Sequence, residues 1–233
     1  MNLQEELAAM SEGFAKTAPQ DTLRAFDNLV SGLKKSGIVS RGPQIGDSVG
    51  NFSLSNIYGS TELGDKIENF TLANPWGEKI SLDGLLEKGP VVINFYRGNW
   101  CPYCNVELRA LEQIAPEIRE LGANLVAISL EKPDESLKTI EKHNMQFIVL
   151  SDISAAVAKQ FKILFQAPKW NAIQQPMLGI DIAKHNGANV ANQVIPATYV
   201  IDTNKTVKFV FADEDFTRRA NTNDILKTLR SLK

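Results

Sequence analysis

Apolar positions recur along this chain with two spacings, and each spacing predicts an element. Leu3, Leu7, Met10 and Phe14 share one helical face, and Leu23, Phe26, Leu29, Val30 and Leu33 share another. Pro19 and the Ser36-Gly37 pair punctuate these two helices. Each stripe needs a surface to cover it; packing within the same chain and an arm across a homodimer are both open readings. Further on, the run at 90–95 is apolar enough for a buried strand. Residues 124–129 and 147–150 read as strands, and 134–142 and 153–161 as helices. Strands at 199–201 and 207–211 join through 202–206, and a helix over 223–232 closes the chain. Alternating strands and helices predict an α/β fold.

Two stretches depart from this rhythm. Residues 162–194 are longer than a connection usually is and read as an insertion or lid. There Phe165, Trp170, Met177 and Leu178 either line a substrate cleft or form the insertion's own core. The other stretch holds an internal repeat: Ile45-Gly46-Asp47-Ser48-Val49-Gly50-Asn51-Phe52-Ser53-Leu54-Ser55-Asn56 returns as Leu63-Gly64-Asp65-Lys66-Ile67-Glu68-Asn69-Phe70-Thr71-Leu72-Ala73-Asn74. Two such short copies do not make a solenoid, which needs at least three stacked units. They read as a duplicated strand segment, 45–56 and 63–74. The second copy leads into a turn and short strand at 75–82, and the first is expected to be an extra strand or arm that pairs with a sheet edge or a partner subunit.

A length of 233 residues with 43% apolar content suits one domain with an extension. The net charge of −2, with no polybasic run, argues against nucleic-acid and anionic-membrane partners. Met1-Asn2-Leu3-Gln4-Glu5-Glu6 lacks the basic and apolar regions of a signal peptide, and no apolar stretch approaches spanning length, so a cytoplasmic location is expected.

The chemistry concentrates in Tyr96-Arg97-Gly98-Asn99-Trp100-Cys101-Pro102-Tyr103-Cys104, directly after the buried run. These are the chain's two cysteines, and random placement would put them three apart only about one time in a hundred. Pro102 suits a first helical turn, and Leu108, Leu111, Ile114, Ile118 and Leu121 continue at helical spacing. The dithiol therefore sits where a strand hands over to a helix. Unpaired N–H groups and the positive end of the helix dipole there favour the thiolate, the reactive form. Zinc binding wants four ligands, and only His143 and His185 accompany the cysteines, at no ligand spacing. Both histidines read as surface residues, so neither a metal nor a cofactor is expected. A purely structural disulfide would close too short a loop to constrain much. A thiol redox enzyme is the reading that remains.

From residue 63 onward the chain resembles the peroxiredoxin-like branch of the alkyl hydroperoxide reductase and thiol-specific antioxidant (AhpC/TSA) family. The resembling stretches are Asp65-Lys66-Ile67-Glu68-Asn69-Phe70-Thr71-Leu72, residues 89–109, Val126-Ala127-Ile128-Ser129, Phe147-Ile148-Val149-Leu150-Ser151-Asp152 and Pro196-Ala197-Thr198-Tyr199-Val200-Ile201-Asp202. The resemblance implies a thioredoxin-like fold, a central mixed β-sheet flanked by helices, at 45–233, with residues 1–44 as an N-terminal amphipathic helical extension.

Family members resemble one another in a PxxxTxxC loop, a glutamate three residues past the peroxidatic cysteine, and a distant arginine. On that pattern Cys104 is peroxidatic and Glu107 is the glutamate. Arg97 replaces the proline, Cys101 the threonine, and Pro196 stands about where the arginine is expected. Trp100-Cys101-Pro102-Tyr103-Cys104 resembles thioredoxin instead, where the dithiol faces a cis-proline before a strand. Ile195-Pro196 fits that role, or is an ordinary trans link. Arg97 either supplies the missing positive charge or is a solvated strand-end residue. Glu107 either orients Arg97 or is an exposed helix glutamate.

The resemblance implies a thiol-dependent antioxidant oxidoreductase that reduces hydroperoxides. Cys104 would attack and become a sulfenic acid, and Cys101 would resolve it to an internal disulfide. The alternative is a thioredoxin-like disulfide reductase with Cys101 attacking. A redox-switched binding protein is a third reading. Either enzyme needs a thioredoxin- or glutathione-type reductant.

Overall fold

Val91–Phe95 (β3) is buried at all five positions, as a strand covered on both faces must be. In a computed structural model that describes residues 2–47, 69–167, 169, 170, 172, 178–187 and 191–233, this strand lies inside the main sheet, between the strands Asn124–Ser129 and Ala197–Ile201. The described strands are β1 (Thr71–Ala73), β2 (Lys79–Ser81), β3, β4 (Asn124–Ser129), β5 (Ile148–Ser151), β6 (Leu164–Gln166), β7 (Asn192–Val194), β8 (Ala197–Ile201) and β9 (Val207–Ala212). Seven of them form a mixed sheet in the order β2-β1-β5-β4-β3-β8-β9, and β6 and β7 form a separate hairpin. β3, β4 and β5 run parallel, whereas β8 returns antiparallel to β3 with Phe95 opposite Ala197.

The helices whose bounds lie among the described residues are α1 (Leu3–Thr17), α2 (Gln20–Ser36), α3 (Leu82–Leu86), α4 (Pro102–Glu120), α5 (Pro133–His143), α6 (Ala156–Gln160), α7 (Ile182–Asn186) and α8 (Thr222–Arg230). Strand alternation distributes the core between two layers. Val92 faces α4 and α8, packing with Leu111, Ile118, Ile225 and Leu229. Val91, Ile93 and Phe95 face the other way, into a cluster with Phe161, Tyr199 and Leu33 of α2. The sheet, its flanking helices and the N-terminal extension agree with the expected architecture.

The two N-terminal helices cover their own chain. Asn2 and Glu5 close α1 with a reciprocal capping box, and Gly37, at φ 64°, ends α2 in the left-handed region. Leu7 is buried beside Tyr103, Val106 and Cys104 of α4. A half-exposed Glu6–Arg109 pair at 2.6 Å adds little to that contact. Leu7→Ala should therefore destabilise the fold by about 2–3 kcal/mol, as a buried leucine does when truncated. Urea denaturation checks this; a change within error would mean that α1 is only loosely docked.

Of the repeat, residues 48–68 lie outside the described residues. Gly46 N donates to Val207 O at 2.8 Å and Val207 N to Asp47 O at 2.9 Å, so the first copy begins by pairing with the start of β9. The second copy supplies β1, and the Asn74 side chain accepts the Trp76 and Glu78 amides to turn the chain into β2. The insertion expected at 162–194 comprises β6, α7 and β7 around residues of which 168, 171, 173–177 and 188–190 lie outside the described set.

Candidate active site

The polypeptide leaves β3 at Phe95 and makes a tight loop before α4. Gly98, at φ 151°, has no room for a side chain: a Cβ there would fall 2.3 Å from Trp100 Nε1 and 2.9 Å from Glu131 Oε1. Cys101 N donates to Gly98 O at 3.0 Å, Cys101 occupies the N-cap of α4, and Pro102 follows in the first turn. Cys104 lies one turn in. Both thiols are buried, at 1% and 0% exposure, and neither is in a disulfide.

Two buried arginines face this pair. Arg219, in the loop between β9 and α8, donates through Nη2 to Cys104 Sγ at 3.3 Å and through Nε to Glu107 Oε2 at 2.6 Å. Its Nη1 bonds the Phe216 carbonyl, and Gln4 of α1 donates to the Arg219 carbonyl at 3.1 Å. Glu107 is itself buried, and its Oε1 accepts from Asn94 Nδ2 at 2.9 Å. Asn94 also donates to Thr198 Oγ1 at 3.1 Å, so the network crosses from α4 through β3 to β8. Arg97 is the second arginine. Its guanidinium lies 4.7 Å from the Trp100 ring centre and 4.1 Å from that of Phe216, and its Nε donates to Gln193 Oε1 at 3.2 Å.

These contacts correct three expectations. Glu107 is neither exposed nor an orienter of Arg97; its partner is Arg219, because its place on α4 turns it toward the sheet. Arg97 is not a solvated strand end, since aromatic rings sandwich it. Pro196 brings no positive charge to the dithiol, and the guanidinium that reaches Cys104 comes from Arg219, 115 residues beyond it. Its loop is shaped by Asp213 and Asp215, whose carboxylates accept the Asp215 and Thr217 amides. Pro196 itself is buried between β7 and β8. Among the described residues no peptide is cis, and Ile195 N is already engaged with Ile163 O at 2.9 Å, so that backbone N–H is not free for a thiol or peptide.

Electrostatics divide the two sulfurs. Burial alone would raise the Cys101 thiol, but the hydrogen bond from the Cys104 thiol and the charges of Arg97 and Arg219 outweigh it and hold Cys101 at about 6. Burial and donation of its proton to Cys101 push Cys104 well above the usual thiol range. The two thiols therefore titrate as a pair, with burial and proton donation disfavouring the anion on Cys104 and the arginines favouring it on Cys101. Burial also pushes the Glu107 carboxyl up to about 7, against the pull of Arg219.

A cleft of about 350 Å³ opens onto Cys101 and Arg97. Its walls are apolar: Phe14 of α1, Phe26 of α2, Trp100, Trp170 and Phe216, with Phe26 and Phe216 in edge-on contact at 5.0 Å. Trp170 and Leu178 of the insertion therefore line the cleft. Trp170 packs against Phe26 and Phe216 from outside the insertion, while Phe165 joins the neighbouring core and Met177 lies outside the described residues. The N-terminal extension contributes a wall that its own periodicity could not reveal. Neither histidine is a free surface group: His143 Nε2 lies 3.0 Å from Asn105 Oδ1, and His185 sits between two buried glutamates.

Residues 63–210 match the AhpC/TSA family. A Mycobacterium tuberculosis (strain H37Rv) protein provisionally named a peroxiredoxin is 29% identical over 155 residues, which cover 65% of this chain and 85% of that protein. The crystal structure of peroxidoxin BcpB from the same species superposes with a TM-score of 0.58 at 25% identity, over 82% of this chain and 99% of that one. Thiol-disulfide oxidoreductase ResA of Bacillus thuringiensis (strain 97-27) is 27% identical over 89 residues, 38% of this chain and half of that protein. The family match spans well over half of the chain and contains both cysteines, Arg97 and Glu107. This chain belongs to the AhpC/TSA family, as a peroxiredoxin-like member with a Cys-x-x-Cys site.

Proposed function

We propose that the chain reduces hydroperoxides with Cys104 as the attacking sulfur and Cys101 as proton acceptor and then resolving thiol. The contact that carries this reading is the Arg219 guanidinium on Cys104 Sγ, backed by Glu107. A guanidinium there stabilises both the thiolate and the negative charge that develops on the departing peroxide oxygen. The Cys104 proton passes to the Cys101 thiolate. Cys104 then attacks the terminal peroxide oxygen, the O–O bond breaks, and the alkoxide leaves as an alcohol after taking up a proton. Cys101 attacks the resulting sulfenic sulfur and expels water, closing the disulfide. Two electrons from a thioredoxin-type dithiol or from two thiols of a glutathione-type system restore the pair, which suits a reducing, cytoplasmic compartment.

The rate of oxidation by peroxide should rise with pH as the pair loses its first proton near 6 and Glu107 ionises near 7 to fix Arg219. Both ionisations create the reactive arrangement, so activity falls on acidification. Glu107→Gln should remove the upper part of the rise and leave one titration near 6. Stopped-flow oxidation across the neutral range tests the reading: no hydroperoxide consumption, or a profile centred on the ordinary thiol range, would sink it.

A second reading has its own support. The cleft opens onto Cys101, whose thiol is the depressed one, and this favours disulfide exchange begun by Cys101. Rapid turnover of insulin disulfides without peroxide consumption would select it.

A further inference from the structure

Behind the active-site loop, three side chains from separate elements converge. Glu131 follows β4, Glu135 lies in the first turn of α5, and His185 belongs to α7 in the insertion. A ligand atom from each lies within 4.8 Å of the others. His185 Nδ1 stands 3.2 Å from Glu131 Oε1 and 3.0 Å from Glu135 Oε2, yet makes no hydrogen bond of acceptable geometry. Glu131 is fully buried, and its Oε2 has no hydrogen-bond partner. Lys138 neutralises Glu135 from the other side through Oε1 at 2.5 Å, which leaves the Glu131 charge facing the imidazole. A buried carboxylate with an idle oxygen is costly unless a cation meets it.

We propose that Glu131, Glu135 and His185 form a zinc-binding site that ties the insertion to the loop preceding Cys101. One imidazole nitrogen and two carboxylate oxygens match zinc's donor preferences, with the fourth position left to water. Zinc bonds of about 2.0–2.1 Å in a tetrahedron place neighbouring donors about 3.3 Å apart, close to the separations from His185 Nδ1. The outer contacts hold the ligands and transmit the tie. Glu131 Oε1 accepts the Asn99 amide at 3.0 Å, Asn99 Nδ2 donates to the Glu135 carbonyl at 3.3 Å, and Lys132 N donates to the His185 carbonyl at 2.9 Å. Occupancy would thus fix Asn99, two residues before Cys101, together with α7.

The test uses the full chain carrying Cys101→Ser and Cys104→Ser, so that zinc cannot bind at the dithiol. Calorimetric titration of the chelator-stripped protein with zinc chloride should show one ion per chain, and zinc should raise Tm while magnesium chloride does not. X-ray absorption should report nitrogen and oxygen ligands without sulfur. His185→Gln in that background should weaken binding by more than about 100-fold, since even outer-shell changes commonly cost 10–100-fold. Should that variant fail to fold by circular dichroism, Glu135→Gln takes its place with the same expectation. Absence of saturable zinc binding in the double-serine protein, affinity unchanged by the ligand substitution, or an equal response to magnesium would overturn the site.

Discussion

Cys104→Ser is expected to slow single-turnover oxidation by hydroperoxide at least about 1,000-fold, the scale of loss when an attacking nucleophile is removed. Cys101→Ser should behave differently. Its Cys104 loses both the thiolate that takes up its proton and the charge that holds the Cys104 thiol up; that thiol titrates lower than in the parent, and its proton goes to solvent. The sulfenic acid forms, persists without a resolving thiol, and advances to sulfinic acid under excess peroxide. Stopped-flow oxidation with trapping of the sulfenic acid reads both variants. The contrast is diagnostic because the two sulfurs are equally buried but differently surrounded: Arg219 and Glu107 stand at Cys104, whereas the cleft and Arg97 stand at Cys101. Oxidation retained in Cys104→Ser and lost in Cys101→Ser would make Cys101 the peroxidatic sulfur, whereas slow oxidation in the parent and in both variants would move the activity to disulfide exchange through Cys101.

What the sequence could disclose depended on how local the signal was. The junction of β3 and α4 was legible because a buried apolar run, a proline and a helical stripe are consecutive in the chain, and 124–129 was read to the residue as β4 for the same reason. The burial of Glu107 was recoverable in principle. It lies one turn from both Cys104 and Leu111, hence on the face of α4 that meets the sheet, but its charge argued for solvent. Arg219 had no such signal. It stands in a polar stretch after β9, and only the turn built by Asp213 and Asp215 brings it back to Cys104. An amphipathic stripe records that a helix has a surface to cover without saying which surface. Hence α1 and α2 were legible as helices, while the contribution of Phe14 and Phe26 to the cleft was not. His185 read as a surface residue because its two glutamate neighbours lie on other elements.

Arg219→Met should damage both stability and chemistry, and the two losses can be separated. Removing the guanidinium leaves Glu107 buried without its ionic partner; the carboxyl, already pushed up to about 7 beside Arg219, takes up a proton, and the cost is that of the lost charge-assisted bonds, about 1.5–3 kcal/mol. The substitution also removes the donor at Cys104 Sγ, an interaction whose loss at comparable oxyanion sites slows turnover about 100- to 1,000-fold. Replacing both members, Arg219→Met with Glu107→Met, fills the same space with apolar groups and should return the stability to within about 1–2 kcal/mol of the parent. Asn94 then keeps its side-chain bond to Thr198 across β3 and β8. Oxidation by peroxide should stay slow in that double variant, because neither methionine can stabilise a thiolate or a departing alkoxide. Urea denaturation and stopped-flow oxidation, measured on the same preparations, give the two readouts. Recovery of the rate along with the stability would show that Arg219 serves the fold alone, and the peroxidatic assignment of Cys104 would lose its principal support.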